Sequence, residues 1–299
     1  MPVRTVENMK MVTTDALAAA ERFIQLNARL IDRHRFAFHF RAGPAEPVLA
    51  ALRAYANPDG GFGNGLEPDL RGAASQPVPA QHAIEIMHEV GAVDDPMLAR
   101  LCDYLTAITT PDGGVPSVLP TVREAPHGPW WQTTDDPPGS LVPTATLAGQ
   151  LHMIGADHPW LAPATGFCWT QIETLSEVGA YQALAVLTFL DHVPDRERAA
   201  AAFDRLRGSI LANTALDPNA TGEVFFPLDF APDPAGRGRR IYPDDVIDEH
   251  LDALVEAQRD DGGWAVNWEI WTPVVGHQWR AHMTVQRLLT LRAYGRLAR

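Results

Sequence analysis

The chain has 299 residues, 46% hydrophobic and 20% charged, a soluble globular balance that excludes disorder over most of its length. Its formal charge of -13 at pH 7 repels polyphosphate and anionic surfaces, so no nucleic-acid partner is expected. Met1 to Met11 hold no apolar leader core and no stretch reaches the roughly 18 apolar residues of a membrane span, so the reading is no transmembrane segment and a cytoplasmic location.

In chain order, the first helix is expected over residues 14 to 34, where Thr14-Asp15 offers capping side chains ahead of strong helix formers with apolar spacings of three and four. Similar patterns cover 45–56, 78–91, 95–108, 142–154, 167–175, 178–191, 196–213, 245–258 and 280–297. Glu223 to Phe230 is a short extended candidate; no longer stretch alternates with period two. The class is all-α. Cys102 and Cys168 lack the close spacing of a zinc cluster or disulfide framework and read as buried thiols.

Three of the helices run into Asp-Gly-Gly and an apolar residue: Asp59-Gly60-Gly61-Phe62, Asp112-Gly113-Gly114-Val115 and Asp261-Gly262-Gly263-Trp264. Their separations, about 50 and about three times 50 residues, mark a repeated structural unit. Glycine past a helix end supplies a left-handed cap, and Ser75-Gln76-Pro77 is a normal opening for the next helix. Each unit reads as a helical hairpin. About six fill one domain over 1–299 as an α/α toroid of inner and outer helices. Ten recognised helices against twelve expected imply either an incomplete ring or a helix hidden in 216–244.

These residues resemble the α/α-toroid repeats of squalene-hopene-type terpenoid cyclases and protein prenyltransferase β subunits. The segments Ala56-Asn57-Pro58-Asp59-Gly60-Gly61-Phe62-Gly63 and Glu256-Ala257-Gln258-Arg259-Asp260-Asp261-Gly262-Gly263-Trp264 are similar to that family's Gln…Asp-Gly-Gly-Trp repeat. Gly72-Ala73-Ala74-Ser75-Gln76-Pro77 is similar to the Ser/Thr-Pro element opening its inner helices. The resemblance covers the whole chain at repeat level and implies a scaffold more than an activity, since the motif ties helices together at the outside of the ring. The cyclases' protonating Asp-x-Asp-Asp is absent, Tyr242-Pro243-Asp244-Asp245 lacking its first aspartate. The prenyltransferase zinc set and the Cys-Gly-Glu-Gln of thioester toroids are missing as well. No metal site and no cofactor are therefore predicted. Asp244-Asp245-Val246-Ile247-Asp248 spells a magnesium-diphosphate motif of other isoprenoid enzymes, but without its second acidic partner it reads as first-turn partners of a helix dipole, and magnesium is not expected.

In such a toroid the loops after Gly-Gly lead onto inner helices and converge over the central cavity. The loop Phe62 to Pro77 offers Glu67 and Asp69 as a catalytic acid and base, with Asn64 and Arg71 as substrate-binding neighbours; Arg71 would keep one carboxylate ionised while burial raises the other's pKa. The long loop Val115 to Ser140 adds His127, Trp130 and Trp131, tryptophan faces suiting a carbocation or a sugar ring. The loop Trp264 to Arg280 adds Asn267, Trp268, Glu269, Trp271 and His277, and holds half of the chain's eight tryptophans. Arg237-Gly238-Arg239-Arg240 would suit an anionic group or form a solvated turn. The first reading is an enzyme cyclising or isomerising a small, apolar, isoprenoid-like substrate. Against it stand a carbohydrate-active toroid enzyme, namely a lyase, hydrolase or epimerase, and a non-catalytic ligand-binding toroid.

Overall fold

A computed structural model describes residues 9–298; most of the stretch Met1 to Met11 read above lies outside them. The elements in order are α1 (Thr14–Asn27), α2 (Leu30–Phe40), α3 (Glu46–Arg53), α4 (Pro77–Glu89), α5 (Pro96–Ile108), α6 (Leu141–Met153), α7 (Leu161–Thr174), α8 (Ala180–His192), α9 (Arg196–Ala212), α10 (Pro227–Phe230), α11 (Asp244–Glu256) and α12 (Pro273–Ala293). Among the described residues, β structure is limited to isolated bridges, and no described helix is long and apolar enough to cross a membrane.

Four expectations change, the first being that the helix expected over 167–175 begins at Leu161 as α7. The helix expected over 14–34 is two helices, because Ala28 and Arg29 adopt extended backbone (ψ 153° and 157°) and break the register between α1 and α2. Segment 216–244 holds one helical turn, α10, and a 3₁₀ turn over Arg237–Ile241, while the extended candidate over 223–230 shrinks to one bridge between Thr214 and Phe225. The last helix begins at Pro273 rather than near 280, Pro at its first position supplying a preset φ.

The sequence reads as one domain; residue contacts gather the chain into two compact units, one holding Pro44–Ala212 and the other the stretches up to Gly43 and from Asn213. In the first, α6 packs on α4, α7 and α8, and Gly149 brings α6 so close to α8 that a Cβ there would lie 2.5 Å from the Thr188 carbonyl oxygen. In the second, α12 packs on α1, α2 and α11.

The Asp-Gly-Gly sites share one packing geometry. Gly60, Gly113 and Gly262 have φ of +88°, +92° and +92°. A Cβ on each would lie 2.3, 2.8 and 2.1 Å from the carbonyl oxygens of Arg100 on α5, Pro163 on α7 and Ala19 on α1. The second glycine of each site then meets the ring four residues further along that helix: Tyr104, Phe167 or Phe23. The aspartate closes the turn by accepting from the second glycine's N–H, at 2.9 Å for Asp59, 3.3 Å for Asp112 and 3.0 Å for Asp261. At the third site the Gln258 amide also donates to Ala16 O of α1, and buried Trp264 donates its indole N–H to Leu254 O. Thus the last Asp-Gly-Gly seats on the first helix just as the others seat on a following one. Nearby, Val12 pairs with Leu297, and buried Arg296 bridges Asp248 (2.7 Å) and Asp252 (2.6 Å).

This geometry separates two glycines of similar φ. Gly262→Ala should cost about 2–4 kcal/mol, left-handed strain plus a backbone overlap. Gly222→Ala (φ +93°, nothing within 4 Å) should cost about 1 kcal/mol. Urea unfolding of both variants checks the difference, and equal losses would contradict the contact.

Candidate functional site

The Asp59 seat fixes the start of the loop from Phe62 to Gln76. Asp59 accepts from Ser75 Oγ (2.8 Å), Gln76 N–H donates to Phe62 O (2.9 Å), and Asn64 N–H donates to Gly72 O (2.8 Å). The loop therefore folds back on itself, and Leu66, Glu67, Asp69 and Leu70 are all at most 4% exposed. A buried carboxylate needs a partner. Glu67 finds it on α4: its Oε2 lies 2.7 Å from His82 Nε2, while its Oε1 accepts from the Asp69 N–H at 3.4 Å. Glu85, one turn further along α4, places Oε2 3.8 Å from His82 Nδ1, an ion-pair distance.

The second loop docks on the first. Gly128 N–H donates to Asp69 O, Arg71 N–H to Pro126 O, and Leu70 bridges to His127. His127 Nδ1 lies 2.8 Å from Ala125 O; since a carbonyl only accepts, Nδ1 is the donor in this contact. Trp131 packs against Leu70, Val118 and Val122 together with Val78. A small recess at this junction is lined by Leu70, Arg71, Gln76, Thr121, Val122 and His127.

Of the residues singled out in the sequence, Glu67, Asp69, Arg71, His127 and Trp131 come together in the unit of residues 44–212. Asn64 is exposed with φ +57°, and its amide donates to Asn57, so it serves the turn. Trp130 is 42% exposed and covers Gly128. Asn267, Trp268, Glu269, Trp271 and His277 belong to the other unit. There Asn267 donates to Val224 O, Trp268 stands edge-on to Trp279 at 5.3 Å, and Glu269 and His277 are exposed. Within Arg237-Gly238-Arg239-Arg240, Arg239 is held by Tyr242 O and by an ion pair with Asp244. The Asp-Asp-x-x-Asp string thus supplies ion-pair partners, Asp244 to Arg239 and Asp248 to Arg296.

Sequence reasoning passed over His82 and Glu85 because α4 reads as scaffold, and with His88 and Glu89 on the same helix nothing in the pattern set the first pair apart. It also passed over Asp32 and Arg35, both wholly buried on α2, with Arg35 3.1 Å from His282 Nδ1 on α12.

Burial by itself would lower the His82 pKa, but the hydrogen bond to Glu67 and the second carboxylate at Glu85 outweigh it and push the value up to about 9. At neutral pH the His82 ring facing Glu67 is therefore an imidazolium.

No family model and no curated protein matches the chain. Solved structures do match. A protein from Actinoplanes is 17% identical, with a TM-score of 0.57 over 94% of this chain and 90% of that one. The type II terpene cyclase MstE from Scytonema in complex with geranylgeranyl dihydroxybenzoate is 11% identical, with a TM-score of 0.58 over 93% and 96%. The same cyclase without ligand gives 12% identity and a TM-score of 0.54 over 93% and 98%. The fold is that of the terpenoid cyclase-like helical toroids.

The raised His82 pKa fixes a pH dependence. A folded-state value above the ordinary 6.5 means that the stabilisation is complete below about pH 6.5 and is lost as pH rises through about 9. Unfolding free energy should therefore fall across that window in the native protein. His82→Gln should lower stability by about 3–5 kcal/mol at pH 6 and remove most of the slope. Urea titrations from pH 6 to 9.5 check it; an unchanged slope would contradict the assignment.

Proposed function

We propose that this protein is an enzyme that uses Glu67 for proton transfer in the cyclisation or isomerisation of an apolar, isoprenoid-like substrate. The observation that carries the reading is the buried Glu67–His82 pair in a loop that the repeat's own packing holds rigid. A carboxyl in contact with an imidazolium is a stronger acid, once it carries a proton, than one buried alone, because the cation favours the carboxylate it leaves behind. The same carboxylate can take a proton from carbon when the reaction closes. Asp69, two residues on and equally buried, is the second acid/base group.

The surroundings favour an isoprenoid over a sugar. Val78 lies one turn before His82 on α4, and with Leu70, Val118, Val122 and Trp131 it makes an apolar, aromatic wall; a tryptophan ring can stabilise a passing carbocation. The terpene cyclase neighbour, solved in complex with geranylgeranyl dihydroxybenzoate, supports the same class.

The test offers the purified protein geranylgeranyl dihydroxybenzoate and simpler polyprenyl alcohols, and follows products by mass spectrometry. Glu67→Gln should lower turnover by about 10²-fold or more, measured at a temperature where the variant stays folded because it also loses the buried pair, and Asp69→Asn should lower turnover less. Undiminished turnover in Glu67→Gln, or no conversion of any of these compounds by the native protein, would overturn the proposal.

A further inference from the structure

Carboxylate, imidazole and carboxylate lie in a row, and exposure rises along it: the side chains of Glu67, His82 and Glu85 are 3%, 17% and 34% exposed. The two carboxylates address opposite nitrogens of one ring. Glu67 takes Nε2 from the loop, and Glu85 faces Nδ1 from the same helix, three residues on. These two carboxylates are what raise the His82 pKa against its burial. A ring with an acceptor on each side has one favourable orientation and gains from carrying both protons.

The packing of the repeat does not require this arrangement. Inner helices α4, α6 and α12 end in the same cap, with Gly91, Gly155 and Gly295 at φ of +70°, +68° and +70°. Their N–H groups donate to the carbonyls of His88, His152 and Arg292. Aligned on that cap, the positions of His82 and Glu85 are occupied by Thr146 and Gly149 on α6 and by Gln286 and Leu289 on α12. The same helical role is thus filled twice without an imidazole or a carboxylate.

We infer that Glu85 is a positioning residue for the chemistry at Glu67: it faces His82 Nδ1, keeps the ring in its doubly protonated form, and so aims the Nε2–H at the Glu67 carboxylate. This rests on the proposed proton-transfer role of Glu67. It adds that the acid is set by a third group, which acts through His82.

The experiment has two arms. In the first, the His82 ring is titrated by NMR in the native protein and in Glu85→Gln, Glu85→Asp and Glu67→Gln. Glu85→Gln should lower its pKa by about one unit and Glu67→Gln by more, with Glu85→Asp near native. An unmoved titration in Glu85→Gln overturns the inference whether or not any substrate is converted. In the second arm, turnover of the polyprenyl substrate by Glu85→Gln should show kcat about 10-fold lower with KM within about twofold, the alkaline limb of the pH profile shifted down with the His82 pKa, and recovery in Glu85→Asp. A shifted titration with unchanged kcat and pH profile also overturns it. A native protein without turnover, but with the expected shift in Glu85→Gln, sinks the proposed reaction and leaves Glu85 as the residue that sets His82.

Discussion

The structure depends on a contact that only glycine permits: the end of one helical hairpin touching the bare backbone of another helix. At Gly60, Gly113 and Gly262 the approach is close enough that any side chain would occupy the space of a carbonyl oxygen. The left-handed φ at each site carries little penalty for glycine and a substantial one for other residues. The aspartate before and the apolar residue after complete the seat. One holds the turn through the second glycine's N–H; the other is driven into the core, where Phe62, Val115 and Trp264 are at most 2% exposed. Hydrophobic burial supplies the free energy, and the backbone contact supplies the register.

That register lets an otherwise costly site exist. Burying a carboxylate is unfavourable by several kcal/mol unless it is paired, and a flexible loop would relax by turning Glu67 outward. Here the loop is pinned at both ends, by Asp59 to Ser75 and by Gln76 to Phe62, and clamped in the middle by the second loop through Asp69 and Arg71. Glu67 is held inward and is matched by an imidazole on the helix that its own loop introduces. A structural repeat and a unique charged pair thus share a few residues, the first shaping the backbone and the second exploiting the shape.

The all-α class, the repeat and most helices were legible in the sequence, since periodicity and Asp-Gly-Gly punctuation are local signals. The α1–α2 break was not: Ala28 and Arg29 are not helix breakers, yet both adopt extended backbone. The stretch 216–244 left open an incomplete ring or a hidden helix, and its proline and glycine content admits one helical turn and a 3₁₀ turn. Within the site, loop residues stood out because polar groups among glycines are conspicuous, and Glu67, Asp69, Arg71, His127 and Trp131 do assemble. Asn64 stood out for the same reason, yet its φ of +57° shows a turn-former. His82 and Glu85 stayed hidden because a helix pattern states which face is buried and not what lies across from it. A pairing between loop and helix, 15 residues apart in sequence, is a tertiary fact.

Because the last Asp-Gly-Gly seats on α1, one compact unit is discontinuous in sequence, built from residues up to 43 and from 213 onward. During synthesis α1 emerges early and must wait for some 240 residues before Gly262 and Phe23 can meet, keeping an amphipathic face uncovered on the ribosome. The stretch 44–212 has its own core and can consolidate in that interval. The late step is a long-range loop closure, and contacts of such separation are what slow folding. It also brings the two ends of the described chain side by side at Val12 and Leu297, where a short linker could join them and new termini could be opened elsewhere, relieving α1 of its wait.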